Sequence, residues 1–234
     1  MKKLFLCGLI CTIALMLLPA GDVATFVDKG FTKDGKYYVF GQYGRTDKKY
    51  QGWAEIYQVD IAKNDYVDGG VFRTKPSAVT SEKTGIEVYE SLEAKSYYYF
   101  KKLPTEPANA DHVLYICDDA DKTGKDKIVF KDFRDSSDKA ATYTVQLVST
   151  VYNSGKNVKS SFYILVEKRD ADGNVIATKK VGNPDIVRKG ISGYKIERIM
   201  CDASEKNFIF VVEKTQQDDS GISVRYMVEA AEIK

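Results

Sequence analysis

Apolar and aromatic runs alternate with turn residues along most of the chain, at a spacing of roughly 8–12 residues. This rhythm limits the fold to packed antiparallel strands. The clearest unit comes first. Residues 23–32 and 37–44 are strand-like, and Asp34-Gly35 lies between them. Glycine supplies the positive φ that a tight hairpin turn needs. Over 53–62 the side chains alternate, with Ile56, Gln58 and Asp60 on one face and Tyr57, Val59 and Ile61 on the other, which predicts a third strand. Further strands are predicted over 112–117, 127–133, 142–152, 161–169, 174–181, 194–201, 208–214 and 222–233. Residues 71–83 carry no clear periodic signal.

One segment changes period. Thr84 precedes Glu87 by three residues, the spacing of a capping box in which each side chain satisfies the other's backbone N–H. Tyr89, Leu92, Ser96, Tyr99 and Leu103 then recur at helical spacing, Lys101 and Lys102 suit the negative end of the helix dipole, and Pro104 stops the helix. The expected fold is therefore mainly β, with antiparallel sheets, sandwich-like or incomplete propeller-like, and one inserted amphipathic helix near 84–103. No Pro-, Gly- or Ser-rich linker divides the chain, so 21–234 reads as a single β-rich domain. Residues 31–40 are loosely echoed by 203–210, each with a polar turn ahead of an aromatic-rich strand.

The N-terminus sets the location. Lys2 and Lys3 precede an uncharged, mostly apolar run over 4–18, and Pro19-Ala20-Gly21-Asp22 follows. Charge, apolar stretch and small-residue exit are the parts of a secretory signal peptide, with cleavage expected after Ala20. The run is shorter than the roughly 20 residues that span a bilayer, so no transmembrane segment is expected after cleavage. The destination is the periplasm or the exterior. The whole chain has 35 Lys+Arg against 33 Asp+Glu. Removing 1–20 takes away two lysines and no acid, which leaves the charges even. A neutral body has no global field to attract nucleic acid. Cys117 and Cys201 remain after cleavage. In an oxidising compartment they either form a disulfide, worth roughly 4–5 kcal/mol on chain-entropy grounds, or stay separate as small buried residues.

Catalytic constellations are scarce. His112 is the one histidine, and its neighbour Asp111 would point to the opposite face of a strand, where it cannot orient the ring. Neither cysteine has a CxxC partner, which removes the usual thiol redox and zinc motifs. Residues 119–124 copy the opening of a calcium loop, but Phe130 stands where a bidentate Glu is needed. No phosphate-binding glycine loop occurs, and no cofactor is expected. Paired carboxylates for glycan hydrolysis remain available among the acids, with no spacing that selects a pair. The bias that stands out is the set of 16 tyrosines. Trp53, Tyr57, Tyr97 and Tyr98 are the candidate binding residues, able to stack on sugars or anchor a partner if exposed.

Two resemblances follow from particular residues. The first hairpin, Phe31-Thr32-Lys33-Asp34-Gly35, resembles the repeat unit of periplasmic Tol-type propellers. The stretch Gly21-Asp22-Val23-Ala24, the residues around Asp34-Gly35, Ile56-Tyr57-Gln58-Val59-Asp60 and Gly193-Tyr194-Lys195-Ile196 resemble a bacterial family of predicted secreted proteins of unknown function. That resemblance implies export and carries no catalytic residues. The expectation for function is a non-enzymatic cell-envelope module that binds a partner protein or an envelope polysaccharide. A secreted, carboxylate-based hydrolase and a structural subunit of an envelope complex are the alternatives.

Overall fold

The computed structural model describes residues 22–118, 127–132, 137, 139–218 and 221–233. In chain order the first strands are β1 (Asp22–Val23), β2 (Thr25–Thr32), β3 (Tyr37–Arg45), β4 (Gly52–Asp60) and β5 (Asp65–Thr74). Helix α1 (Gly85–Phe100) follows, then β6 (Thr105–Glu106), β7 (Val113–Ile116), β8 (Ile128–Lys131), β9 (Thr142–Tyr152) and β10 (Lys159–Arg169). The last are β11 (Val175–Val181), β12 (Arg188–Lys189), β13 (Ile191–Cys201), β14 (Asn207–Asp218) and β15 (Gly221–Glu232).

These strands make three sheets. The front sheet has the order β5-β4-β3-β2-β6 and the central sheet β1-β15-β14-β13-β7. The back sheet runs β11-β10-β9-β8, with β12 also on β10. All pairings are antiparallel except β1 with β15. The fold is thus mainly β with antiparallel sheets and one long helix, and the sheets stack in layers as in a sandwich.

The central sheet is covered on both faces, and β14 shows why. Phe208, Phe210 and Val212 pack toward Tyr143, Phe162 and Ile164 of the back sheet. Ile209 and Val211 pack toward Tyr38, Phe40 and Tyr57 of the front sheet. All five residues from Phe208 to Val212 are 0% exposed. A strand buried on both sides loses its polar alternation and reads as an unbroken apolar run.

The other face of the front sheet carries α1. Val39, Ala54 and Ile56 meet Val88, Tyr89 and Leu92 there. A Cβ on Gly41 would lie 2.5 Å from the Tyr89 ring, so the close seat of the helix requires glycine. The predicted cap is present: Glu87 N–H donates to the Thr84 hydroxyl, and the Glu87 carboxylate accepts from Thr84 N–H. The helix ends at Phe100, with Lys101 as its C-cap, short of the predicted 103.

Two further expectations need correction. Residues 65–74 form β5, which the sequence pattern did not reveal. It is an edge strand, half of its residues exposed and Gly69 at φ +72 in its middle, so it has neither alternation nor β-branched density. The disulfide alternative also fails, because Cys117 and Cys201 are not bridged. The Cys117 N–H bonds to the carbonyl of Glu197, four residues before Cys201 on β13. Four residues of strand span roughly 13 Å, well beyond the Cα separation a disulfide tolerates. Both cysteines are buried as small apolar residues.

The two echoed turns meet in space. Asp202 accepts from the Ser204 hydroxyl, the backbone N–H groups of Lys206 and Asn207, and the Asn207 amide, which also donates to the Gly35 carbonyl at 3.1 Å.

Because β14 supplies both inter-sheet cores, Phe210→Ala is expected to cost about 3–5 kcal/mol, whereas Val175→Ala on exposed β11 stays within about 0.5 kcal/mol. Urea denaturation of the two variants beside the parent measures the contrast.

Candidate functional site

A cleft of about 610 Å³ opens where the three sheets meet. Its volume lies in the range of small-ligand pockets. The β4–β5 turn contributes Lys63, Asn64 and Asp65, the end of β11 and the following loop contribute Lys179 to Asn183, and β12 contributes Arg188. Residues 227–232 of β15 form the floor. Successive strand residues point to opposite faces, so six in a row can line one cleft only where it runs along the strand's edge.

Glu229 is the buried charge of this cleft. It stands opposite Phe210 in the central sheet and is only 5% exposed. The Asn64 amide nitrogen donates to its carboxylate, and the Asn64 amide oxygen accepts from Ala230 N–H. Arg188 Nη2 lies 3.7 Å from Glu229 Oε1. Gly182, at φ +85, passes so close that a Cβ there would lie 3.2 Å from the carboxylate. Burial raises the Glu229 carboxyl above its ordinary range; Asn64 and Arg188 oppose that rise, and Asp65 adds to it. The other carboxylates of the cleft, Asp65 and Glu232, are exposed. So are Lys63, Lys179 and Lys180 at its rim.

Of the four candidate binding residues, two are interior and two are exposed. Trp53 is 3% exposed. Its Nε1 donates to both carboxylate oxygens of Asp22, at 3.2 and 3.1 Å, and the Arg225 guanidinium lies over its ring at 3.9 Å. Arg225 also pairs with the Asp22 carboxylate at 2.5 Å. Trp53 thus clamps β1 to the front and central sheets. Tyr57 is buried between sheets, stacked on Phe40 at 4.9 Å, with its hydroxyl donating to Glu55. It meets the cleft only through Tyr66, whose ring lies 4.9 Å away. Tyr97 and Tyr98 stand on the outer surface of α1, 52% and 77% exposed, and their rings meet edge to face.

His112 sits half-buried at the end of the short helical turn Ala110–His112, just ahead of β7, with Nε2 3.9 Å from the Glu205 carboxylate. The calcium-like segment 119–124 and the apolar run 4–18 lie outside the described residues. Among the described residues no group of three or more His, Cys, Asp or Glu is placed to hold a metal ion, and no helix is long and apolar enough to cross a membrane.

Sequence reasoning missed Glu229, Asn64 and Arg188. One signal was present. Glu229 interrupts the apolar run Met227-Val228-Ala230-Ala231, and a lone acid inside such a run must either face water or find partners. Nothing local in the sequence says that Asn64 and Arg188 are those partners.

Two outcomes follow from these contacts. The folded protein holds the Glu229 proton more tightly than the unfolded chain, whose carboxyl has an ordinary value of about 4.3. Glu229 therefore favours the folded state at low pH and loses that advantage as pH rises through its raised folded value. Glu229→Gln should gain stability relative to the parent between pH 4 and pH 7, read from urea midpoints at both. Asp22→Ala leaves Trp53 Nε1 and Arg225 without their carboxylate and should cost roughly 2–3 kcal/mol, while Tyr98→Ala changes stability by less than about 0.5 kcal/mol; thermal melts compare the two.

No curated protein and no solved structure matches the chain. A family model described as predicted secreted protein (DUF2259) matches residues 39–232, from β3 through the end of β15. Secretion agrees with the export reading of the N-terminus. With most of its length covered by that model, the chain belongs to this family of predicted secreted proteins.

Proposed function

We propose that this secreted protein is a non-enzymatic binding module of the cell envelope, that residues 21–234 work as one unit after export, and that the three-sheet cleft receives a segment of a partner protein. The observation that carries this reading is the fixed polar floor of the cleft. Glu229 is held by Asn64, Arg188 and the close pass of Gly182, so its geometry exists before any ligand arrives. A cationic rim of Lys63, Lys179 and Lys180 surrounds that floor. The buried aromatic residues support the same reading from the other side, since Trp53 and Tyr57 are occupied in packing and leave the sugar-stacking role with only two of its four candidate rings, Tyr97 and Tyr98.

A photoreactive residue in place of Lys63 should cross-link one partner protein in the native envelope, and Arg188→Glu should abolish that product. The same photoreactive residue in place of Tyr98 should not yield it. Equal products from both positions, or capture of polysaccharide alone at Lys63, would count against the reading.

Hydrolysis is the second reading, and Glu229 is what favours it. A carboxyl whose pKa is raised by burial in a cleft is suited to a general acid. Turnover of a glycan or peptide substrate that Glu229→Gln abolishes, with folding intact, would establish the enzyme instead.

A further inference from the structure

We infer that the exposed edge of β11 pairs with an extended segment of a partner protein, and that this segment carries two adjacent carboxylates followed, two residues later, by two adjacent apolar side chains. The inference rests on the cleft reading and supplies its occupant.

Open sheet edges are normally blunted, because a row of free backbone groups templates another strand. This fold blunts one long edge with care. Beyond its short contact with β1, the outer side of β15 faces side-chain amides instead of a strand. The Gln42 amide accepts from Tyr226 N–H at 2.8 Å and donates to the Tyr226 carbonyl at 3.3 Å, and Asn64 accepts from Ala230 N–H. Each amide occupies the place of a missing peptide group. On the front sheet, edge strand β5 is broken by Gly69 and by a register shift against β4.

β11 has no amide cover and no interior glycine, and its one register shift against β10 is confined to its start, between Val175 and Ala177. It pairs with β10 on one side only, in unbroken register from Val181 to Ala177. Six of its seven residues are exposed, and among the described residues its outer edge has no strand neighbour. Its charges stand at one end, Lys179 and Lys180, while Val175 and Ile176 at the other end are 45% and 56% exposed. Val181 faces the core, so Lys179 and Ala177 share its side of the sheet and Lys180 takes the outer side; the register shift between Ala177 and Val175 sets Val175 beside Arg169, on the face opposite Lys179. Lys179 lines the cleft, and Lys180 lies over the Tyr163 ring at 4.6 Å.

An incoming antiparallel strand therefore meets one positive charge on each face and then, two residues further on, the exposed apolar pair Ile176 and Val175 at the register shift. Adjacent residues of that strand also point to opposite faces. The complement is acid-acid-x-x-apolar-apolar, read from the segment's N-terminus. Main-chain bonds to the β11 edge would give affinity, and these pairs would give register.

The probe is a labelled peptide, Thr-Glu-Glu-Thr-Thr-Val-Val-Thr, followed by fluorescence anisotropy on the full secreted chain. Saturable binding is expected. It should weaken roughly tenfold or more when Lys179→Glu and Lys180→Glu are combined, and to a similar degree when alternate backbone nitrogens of the peptide are methylated. Both lysines are exposed, and an unchanged thermal melt confirms that the double variant is folded. Equal binding of the methylated peptide, equal binding of the reversed sequence, or no binding would overturn the inference. So would a dimer in sedimentation that the double lysine variant dissolves, since a second copy would then occupy the edge. If the peptide fails while the Lys63 cross-link remains sensitive to Arg188→Glu, the cleft reading stands and only its strand-shaped occupant falls.

Discussion

The whole structure depends on the burial of β14 on both of its faces. Phe208, Phe210 and Val212 belong to one core, Ile209 and Val211 to the other, and among the described residues no other strand supplies five consecutive residues of zero exposure. Such a strand has a register problem. A one-residue slip usually moves polar groups into the core and is penalised for that reason. Here a slip would exchange apolar residues for apolar residues. Register must then come from the polar groups at the ends and edges of the sheet. At the β13–β14 turn, Asp202 gathers the backbone N–H groups of Lys206 and Asn207 and two side chains. On β15, Gln42 fixes Tyr226 and Asn64 fixes Ala230.

The same polar groups build the cleft. Asn64 has one amide and uses both ends of it, the oxygen for the edge of β15 and the nitrogen for Glu229. The turn that locates the front sheet against the central one therefore also holds the buried carboxylate in place. Arg188, from the loop side of the back sheet, completes the arrangement. A cleft made this way belongs to no single sheet. Its geometry reports whether the three layers are correctly assembled, and a change in any layer reaches Glu229 through a direct contact.

Local chemistry was legible in the sequence, and long-range chemistry was not. The Asp34-Gly35 turn and the Thr84–Glu87 cap are decided by residues a few positions apart, and both stand where the pattern places them. The strand that mattered most, β14, was recognised as a strand but not as the centre, because an apolar run of that length does not say how many sheets cover it. β5 was missed because an exposed edge needs no alternation. Trp53 and Tyr57 show the limit of composition as a guide to binding. An aromatic ring suits a wet surface and a half-polar interior equally well, and only Asp22 and Arg225, distant in sequence from Trp53, and Phe40, on the strand beside Tyr57, place these two inside. The cysteine pair failed for a simple metric reason, since β7 and β13 bring Cys117 beside Glu197 and not beside Cys201.

The aromatic richness of the chain is spent largely between the front and central sheets, where Phe31, Tyr38, Phe40 and Tyr57 form a ladder with centroid spacings of 4.9 to 6.4 Å. Rings committed to such a ladder cannot also read a ligand. Apart from exposed rings such as Tyr97 and Tyr98, the surface offers a different vocabulary: backbone edges, lysines at the ends of strands, and one carboxyl held under a cleft. On the proposed reading, recognition through those groups is directional, because a strand edge accepts only an extended backbone in a defined orientation. On that reading, a fold that closes the edge of β15 with two side-chain amides and leaves β11 without an outer strand neighbour among the described residues separates the edge that maintains the protein from the edge offered to a partner.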